Sequence, residues 1–177
     1  ENSLHERVKI CHGNLLDPPF KELQLLGAPK NGFDCVFTER SIINLNTLED
    51  QTLAISHLWK LLRPGGQMIL CESFLDGLNQ INHYRQSVGL SDITPPWHNR
   101  YLTLDELSSL LPQGALKLEV NEFSGTYYFV SRVIHALDAF RKKTDPSYDD
   151  PLNIQSLEVK SLPVCGQSKV ITFSKPE

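Results

Sequence analysis

Acidic and basic side chains follow two apolar segments of the chain, at positions where they could bind a substrate or move a proton. Phe33–Thr38 leads into Glu39 and Arg40, and Gln67–Cys71 leads into Glu72. A carboxylate next to a guanidinium can hold a charged substrate, or the two can pair and order the loop. Glu72 is the best single candidate for a substrate contact or a proton acceptor.

The stretch from Glu72 to Tyr101 is rich in amide, aromatic and basic groups. Asn82 and Arg85 lie on one side of a predicted helix from about Leu75 to Val88, so both could point into the same cavity. Such groups beside a strand end provide flat walls and a few orienting hydrogen bonds, although an ordinary surface helix is the alternative. The predicted substrate-binding residues are Arg40, Asn82, Arg85, Asn99 and Tyr101.

Two histidines in this stretch, His83 and His98, could accept a proton, because imidazole titrates near neutral pH. No spacing distinguishes them, and a structural role for each is the alternative. Together with Glu72 they are the predicted catalytic residues. No two histidines stand four residues apart beside a carboxylate, so we predict no metal site.

The two apolar segments are interpreted as strands joined by a helix. Asn46 or Thr47 can cap this helix, Glu49 and Asp50 lie in its first turn, and Pro64 with the following glycines ends it. Strands that alternate with a helix indicate a parallel α/β arrangement. Because open α/β sheets bind ligands at the carboxyl ends of their strands, the elbow after the first strand should face a ligand.

Length and composition limit the function classes. The 177 residues, 40% hydrophobic and 21% charged, are enough for one domain with a sizeable core. A net charge of −4 without a dense run of Lys or Arg argues against nucleic-acid binding. No apolar run reaches the roughly 18 residues that span a bilayer, and the first residues do not resemble a signal peptide, so we expect a cytoplasmic protein without membrane contact. The four cysteines lack the spacing of metal ligands and are expected to be free, buried thiols.

The order of these motifs resembles the middle of class I S-adenosylmethionine-dependent methyltransferases. The resemblance is carried by Phe33–Asp34, by Leu-Arg-Pro-Gly-Gly at 62–66, by the strand Gln67–Cys71 and by Glu72. It implies a Rossmann-like α/β sheet that is mostly parallel, with strand order 3-2-1-4-5-7-6 and an antiparallel last strand. It also implies S-adenosyl-L-methionine as the cofactor.

In this family the loop after the third strand holds the adenine of the cofactor, and Arg7–Cys11 resembles that strand. Asn14 stands where the family usually has an acid; its amide oxygen can still accept a hydrogen bond, without charge assistance. An asparagine that simply suits the turn is the alternative. The cofactor-binding residues implied by the resemblance are Asn14, Leu15, Thr38 and Glu39.

The family's glycine-rich first loop, E/D-x-G-x-G-x-G, has no counterpart in this sequence. Glycine is needed there because a Cβ would block the approach of the backbone to the cofactor. We therefore expect residues 1–177 to form a single methyltransferase domain that is incomplete at its N-terminus, lacks the first two strands and is inactive by itself. The missing strands would belong to a longer chain or to another chain, or the fold would be rearranged.

The remaining sequence follows the family pattern. Thr103 and Glu106 form a capping box for a short helix, and Leu116–Phe123 alternates like a half-buried strand. Lys169–Ser174 would be the antiparallel last strand.

Two insertions into this pattern are expected. One is helical, lies on the substrate side and spans about 73–101, and the other is a helix at about 127–143. Tyr127, Tyr128 and Arg132 of the second insertion could also line the pocket, although core packing is the expected role of the tyrosines.

The resemblance implies methyl transfer, for which we expect a small polar molecule as the acceptor, with the protein mainly holding the nucleophile in line with the methyl group. Two alternatives stay open: a non-catalytic partner or scaffold subunit that keeps the fold, and another nucleotide-binding α/β enzyme such as a reductase. The expected partners are the small-molecule substrate and either a second copy of the chain or a complementing N-terminal segment.

Overall fold

Four strands form one mixed sheet in the computed structural model, which describes residues 8–177. They are β1 (Phe33–Glu39), β2 (Leu62–Ser73), β3 (Leu116–Asn121) and β4 (Ser168–Ser174), in the spatial order β1-β2-β4-β3. β1 and β2 pair in parallel, whereas β4 is antiparallel to both β2 and β3. This order and these directions confirm the 4-5-7-6 part of the predicted Rossmann-like sheet, with its antiparallel last strand.

β2 begins at Leu62, earlier than predicted, because the Arg-Pro-Gly-Gly stretch lies inside an irregularity of the β1–β2 ladder and not in a turn before the strand. Gly66 permits this arrangement, since a Cβ there would lie 2.9 Å from the carbonyl oxygen of Arg63 and 3.0 Å from that of Phe33. The register that results places the last residue of β1 opposite Cys71.

Helices connect the strands, and two of them begin with the predicted caps. Thr47 Oγ1 accepts a hydrogen bond from the backbone N–H of Asp50 at 3.0 Å, and Thr103 with Glu106 forms a capping box. None of the helices in residues 8–177 has both the length and the apolar composition that crossing a bilayer requires. The helices are α1 (Phe20–Leu25), α2 (Leu48–Lys60), α3 (Leu75–Ser87), α4 (Leu104–Leu110), α5 (Gly125–Phe129), α6 (His135–Lys142) and α7 (Pro151–Ser156), with a 3₁₀ turn at Ile42–Asn44 and a π-helical turn at Val130–Ile134 that joins α5 to α6.

The main hydrophobic core joins α2 and α4 to the sheet. Ile55 of α2, Leu70 of β2 and Phe173 of β4 belong to it, and each is exposed by 1% or less. A smaller cluster joins α3 to the π-helical turn through Ile81 and Val133. This packing fixes α3 against the helical rod that α5, the π-helical turn and α6 form together.

The predicted strand Arg7–Cys11 is wrong over Val8–Cys11, which forms no strand, while Arg7 lies outside the described residues. A strand needs a neighbour to satisfy its backbone N–H and C=O groups. None of β1–β4 pairs with this segment, and within the described chain the second edge of β1 has no partner strand.

The side chains of Cys35 and Phe37 show that one side of β1 is not covered by the described residues. Phe37 is 71% exposed, and the thiol of Cys35 is exposed as well. The four cysteines are free, as predicted, but burial was wrongly predicted for Cys35 and for Cys11, which is also exposed. The reason is that burial of β1 requires chain on both faces of the sheet.

Candidate functional site

The carboxylate of Glu72 holds the elbow that follows β1. One oxygen accepts hydrogen bonds from Thr38 Oγ1 at 2.7 Å and from the backbone N–H groups of Ser41 and Ile42, each at 3.1 Å. The other oxygen accepts from the N–H of Ile43 at 3.4 Å, and Glu72 is only 2% exposed. Backbone dipoles thus stabilise the buried charge, and Glu72 ties the elbow to the end of β2. These contacts favour a positioning role, while a role as proton acceptor stays a prediction.

Arg40 occupies the corner of the elbow with a left-handed backbone, at φ 49°. Such a conformation costs roughly 1–3 kcal/mol for a residue with a Cβ, so the surroundings must impose it. Its N–H donates to the carbonyl of Cys71 at 2.9 Å, and its own carbonyl accepts from Asn44 Nδ2 at 2.7 Å. Asn99 Nδ2 donates to Asn44 Oδ1 at 2.8 Å. Asn99 therefore supports the backbone from which the Arg40 side chain projects.

A cavity of about 800 Å³ lies beside the carboxyl ends of β1 and β2. Its size is that of a small-molecule site, and its position is the one at which open α/β sheets bind ligands. Among the predicted substrate-binding residues, Arg40, Arg85 and Tyr101 line it. The lining also includes Ser73, Tyr127, Tyr128, Arg132, Tyr148 and Gln167.

Asn82 and Arg85 stabilise the walls of this cavity. The amide of Asn82 donates to the carbonyl of Ile93 at 2.9 Å and accepts from its N–H at 2.8 Å, so it fastens the loop after α3. Arg85 donates from Nε to the carbonyl of Ser91 at 2.7 Å and from a terminal nitrogen to the carbonyl of Arg132. Burial lowers the pKa of Arg85, and the charge of Arg132 lowers it further.

The phenol of Tyr101 lies where the charges of two arginines reach it. Burial raises its pKa, as does Tyr128, while Arg40, Ser73 and Arg132 lower it; the net direction is upward. The phenol therefore stays protonated at neutral pH and can donate a hydrogen bond into the cavity.

The two predicted catalytic histidines lie elsewhere. His83 is exposed on α3, packs edge-on against Tyr84 with ring centroids 5.8 Å apart, and lines a separate cavity with Val164. His98 is exposed, and its ring centroid lies 5.3 Å from that of Trp97. Within the described chain, neither histidine is part of the wall of the 800 Å³ cavity. Their catalytic roles stay predictions.

The predicted adenine loop is a compact turn. The side-chain oxygen of Asn14 accepts from the N–H of Leu16 at 2.9 Å, and its backbone oxygen accepts from the N–H of Asp17 at 3.1 Å. Leu15 packs against the main core, and its carbonyl oxygen lies 3.0 Å from His57 Nδ1. The turn explains why asparagine suits this position, and contact with a cofactor stays a prediction.

The other two predicted cofactor residues differ in accessibility. Thr38 is 5% exposed, and its hydroxyl donates to Glu72. Glu39, at the end of β1, is exposed to solvent. Of the two side chains, that of Glu39 is accessible to a ligand.

The residues of the cavity wall that were not predicted include Ser73, Tyr148 and Gln167. Ser73 could have been found, because it directly follows Glu72 at the end of a strand. Tyr148 and Gln167 lie in loops far along the chain, and no sequence signal relates them to β2. Only the tertiary structure brings them to the cavity.

Solved structures of low sequence identity share this fold. A SAM-dependent methyltransferase from Archaeoglobus fulgidus matches with a TM-score of 0.52 and 11% identity, over 97% of this chain and 70% of that one. The (4+2)-cyclase SpnF matches with a TM-score of 0.50 and 19% identity, over 98% of this chain and 57% of that one. The chain thus spans little more than half of SpnF, and the likeness confirms the class I methyltransferase fold. No protein-family model and no curated protein matches the chain.

Proposed function

We propose that the protein takes part in S-adenosylmethionine-dependent methyl transfer to a small polar acceptor bound in the 800 Å³ cavity. The observation that carries this proposal is the position of the cavity, at the carboxyl ends of two parallel neighbouring strands in a methyltransferase fold. The cofactor would supply a methyl group on a sulfonium centre, and the protein would orient the acceptor towards it.

The residues of this chain have separate roles in the proposal. Arg40, Arg85 and Tyr101 contact or frame the acceptor, and Glu72 and Asn99 position the elbow next to it. Asn82 holds the loop after α3. His83 and His98 are the candidate bases, although their places outside the cavity wall weaken this assignment.

The donor groups at the end of β1 fit part of a cofactor site. The exposed carboxylate of Glu39 suits a cationic or hydroxyl-bearing group of S-adenosylmethionine, and Asn14 with Leu15 would meet the adenine. Close backbone approach by a glycine-rich loop is the missing part, since the sequence contains no such pattern.

We therefore propose that activity requires further residues, either residues before Glu1 or a segment of another chain. Two observations support this: within the described residues the outer edge of β1 is unpaired, and Phe37 is 71% exposed beside it. A strand added there would complete the ladder of β1 and cover apolar surface.

Isothermal titration with S-adenosylhomocysteine tests the proposal. We expect binding by a longer form of the chain that includes residues before Glu1, and much weaker binding by residues 1–177. In the longer form, Glu39→Gln should weaken binding about 10-fold, as expected for the loss of one charge-assisted hydrogen bond. Glu49→Gln, an exposed carboxylate in the first turn of α2, is the matched control and should leave binding unchanged.

Each result has a distinct meaning. If the longer form does not bind S-adenosylhomocysteine, the proposed cofactor is wrong. Tight binding by residues 1–177 alone would keep the cofactor and remove the requirement for further residues. Equal effects of the two substitutions would remove Glu39 from the site.

A second candidate function is catalysis of a reaction other than methyl transfer. The observation that favours it is the fold likeness to SpnF, which is a (4+2)-cyclase. The two remaining alternatives are a non-catalytic partner subunit and another nucleotide-binding α/β enzyme. Binding of S-adenosylhomocysteine without methyl transfer to any acceptor would favour a different reaction, and absence of binding would favour the partner subunit.

A further inference from the structure

The wall of the 800 Å³ cavity is positively charged. Three guanidinium groups line it, from Arg40, Arg85 and Arg132, and no carboxylate is among its lining residues in the described chain. The whole chain has a net charge of −4, so this charge is a local feature and not the result of a basic composition. Like charges around one cavity repel each other, and a bound anion would relieve that repulsion.

Arg85 is already occupied by the protein. It donates from Nε to the carbonyl of Ser91 at 2.7 Å and from a terminal nitrogen to the carbonyl of Arg132. By contrast, Arg40 and Arg132 have no side-chain hydrogen bond and no ion pair with any residue in 8–177. Two guanidinium groups in the wall are therefore available to a ligand.

Aromatic packing orients Arg132. Its guanidinium carbon lies 4.3 Å from the ring centroid of Tyr148 and 5.9 Å from that of Tyr128. Such contacts occupy the faces of the planar group and leave N–H donors at its edge for a planar or tetrahedral anion. Arg85 fixes the backbone of Arg132 from behind through the hydrogen bond to its carbonyl.

Arg40 is held just as firmly, but through its backbone. Its left-handed conformation, at φ 49°, is maintained by hydrogen bonds to Cys71 and from Asn44. Glycine is the residue that adopts this conformation without strain. The chain instead carries an arginine there, which is understandable if the side chain has a task in the cavity.

We propose that Arg40 and Arg132 bind a phosphate or carboxylate group of the molecule that occupies this cavity, with Arg85 as a positioning residue. The cavity, at about 800 Å³, is much larger than a phosphate ion, so the anion is one end of a larger molecule. The phenol of Tyr101 can donate a further hydrogen bond to that molecule. That this molecule is the methyl acceptor rests on the proposed function; the binding of the anion does not.

Nuclear magnetic resonance of the arginine side chains tests the proposal directly. The chain, labelled with ¹⁵N-arginine, is titrated with glucose 6-phosphate, with glucuronate and with glucose, and the Nε–H signals are assigned by substitution. We expect the signals of Arg40 and Arg132 to shift with the two charged probes and not with glucose. A phosphate ligand is indicated if glucose 6-phosphate binds more tightly, and a carboxylate ligand if glucuronate does.

Substitutions locate the effect. Arg132→Gln and Arg40→Gln should each weaken binding of the preferred charged probe about 10-fold or more, because each removes charge-assisted hydrogen bonds. Arg132→Lys should recover part of the loss, since it keeps the charge without the planar fork. Arg141→Gln, on the same helical rod and exposed, is the matched control and should bind like the unsubstituted chain. Circular dichroism verifies that each variant is folded.

The proposal is overturned if neither charged probe shifts the signals, if glucose shifts them equally, or if the probes bind equally well to Arg132→Gln and Arg141→Gln. These outcomes are independent of the titration with S-adenosylhomocysteine. Failure of cofactor binding leaves an anion site in place, and failure of anion binding leaves the proposed cofactor in place.

Discussion

At the scale of single residues, Glu72 shows how an acid at a strand end can hold the backbone of a neighbouring loop. From the sequence, Glu72 is the best candidate for a proton acceptor because it follows an apolar strand. In the structure both of its oxygens accept hydrogen bonds from the elbow, and the residue is 2% exposed. These partners favour a role in which Glu72 positions the elbow, and its role as proton acceptor stays a prediction.

The first prediction concerns Glu72→Gln. The amide would place an N–H₂ donor against backbone N–H donors or lose one acceptor oxygen, so we expect a loss of about 1–3 kcal/mol in the free energy of unfolding. Urea denaturation followed by circular dichroism measures it. Thr38→Val, which removes one donor and leaves the carboxylate in place, should cost less than half as much. If Glu72→Gln keeps full stability and loses only turnover in a complete enzyme, Glu72 is the proton acceptor.

The second prediction concerns the pair of Arg100 and Glu106. Arg100 Nη2 lies 2.5 Å from Glu106 Oε1, and its hydrogen bond is the main cause that lowers the pKa of Glu106 in the folded chain. A carboxyl whose pKa is lowered by folding stabilises the folded state above its ordinary pKa, and this contribution is lost as the pH falls through the folded pKa. As the pH is lowered, the melting temperature of Glu106→Gln should therefore fall less steeply than that of the unsubstituted chain.

Thermal melts in steps from pH 6 to pH 3 measure this difference. Glutamine preserves the cap of α4, since Gln also serves at this position of a capping box, so the change isolates the charge. Glu49→Gln, exposed in the first turn of α2, is the control and should leave the acid dependence as it is. Parallel curves for the unsubstituted chain and Glu106→Gln would contradict the prediction.

At the scale of elements, local sequence signals predicted the presence of most helices and strands, but they predicted the first and last residues of these elements less well. The helix caps at Thr47 and Thr103 and the alternation in Leu116–Phe123 are properties of a few neighbouring residues, and the structure has both caps and a strand at Leu116–Asn121. The start of β2 was missed because Arg-Pro-Gly-Gly is a turn signal that the ladder with β1 absorbs as an irregularity. The strand at Val8–Cys11 was wrong because strand formation depends on a partner.

The third prediction concerns the contact between α3 and the loop before β4. A Cβ at Gly77 would lie 2.3 Å from the carbonyl oxygen of Gly166 and 2.6 Å from the backbone nitrogen of Gln167. We expect Gly77→Ala to lower the free energy of unfolding by about 1–3 kcal/mol through overpacking, despite the better helix propensity of alanine. Asn79→Ala, exposed on the same helix, should change stability by about 0.5 kcal/mol or less. A Gly77→Ala variant as stable as Asn79→Ala would show that the loop yields freely.

At the scale of the whole molecule, the described helices cover the sheet unevenly. α2 and α4 share the main core with the strands, whereas Cys35 and Phe37 of β1 remain exposed among the described residues. The four cysteines differ in exposure in the same way: Cys11 and Cys35 are exposed, Cys71 is partly buried and Cys165 is buried.

The fourth prediction follows from the thiols. Burial raises the pKa of Cys165 to about 11 and also raises that of Cys71. Since the thiolate is the reactive form, alkylation at neutral pH should be fast at Cys11 and Cys35, slower at Cys71 and slowest at Cys165. Mass spectrometry of peptides from timed samples measures the four rates. If Cys35 is alkylated more slowly than Cys71, further chain or a second copy of the protein covers β1. In the longer form of the chain, we expect Cys35 to be protected in this way.

The sequence by itself determined most of the helices and strands and the parallel direction of β1 and β2, but not the helix Pro151–Ser156. The fold that joins them was implied by the resemblance to class I methyltransferases. The predicted helices and strands follow from apolar periodicity, caps and the order of elements, which act between near neighbours. The tertiary structure alone decided that Glu72 accepts hydrogen bonds from the Thr38 hydroxyl and from three backbone N–H groups, and that Arg40, Arg132 and Tyr148 line one cavity. Side chains so far apart along the chain have no common pattern in sequence, because only the packing of helices and loops on the sheet sets the distances between them.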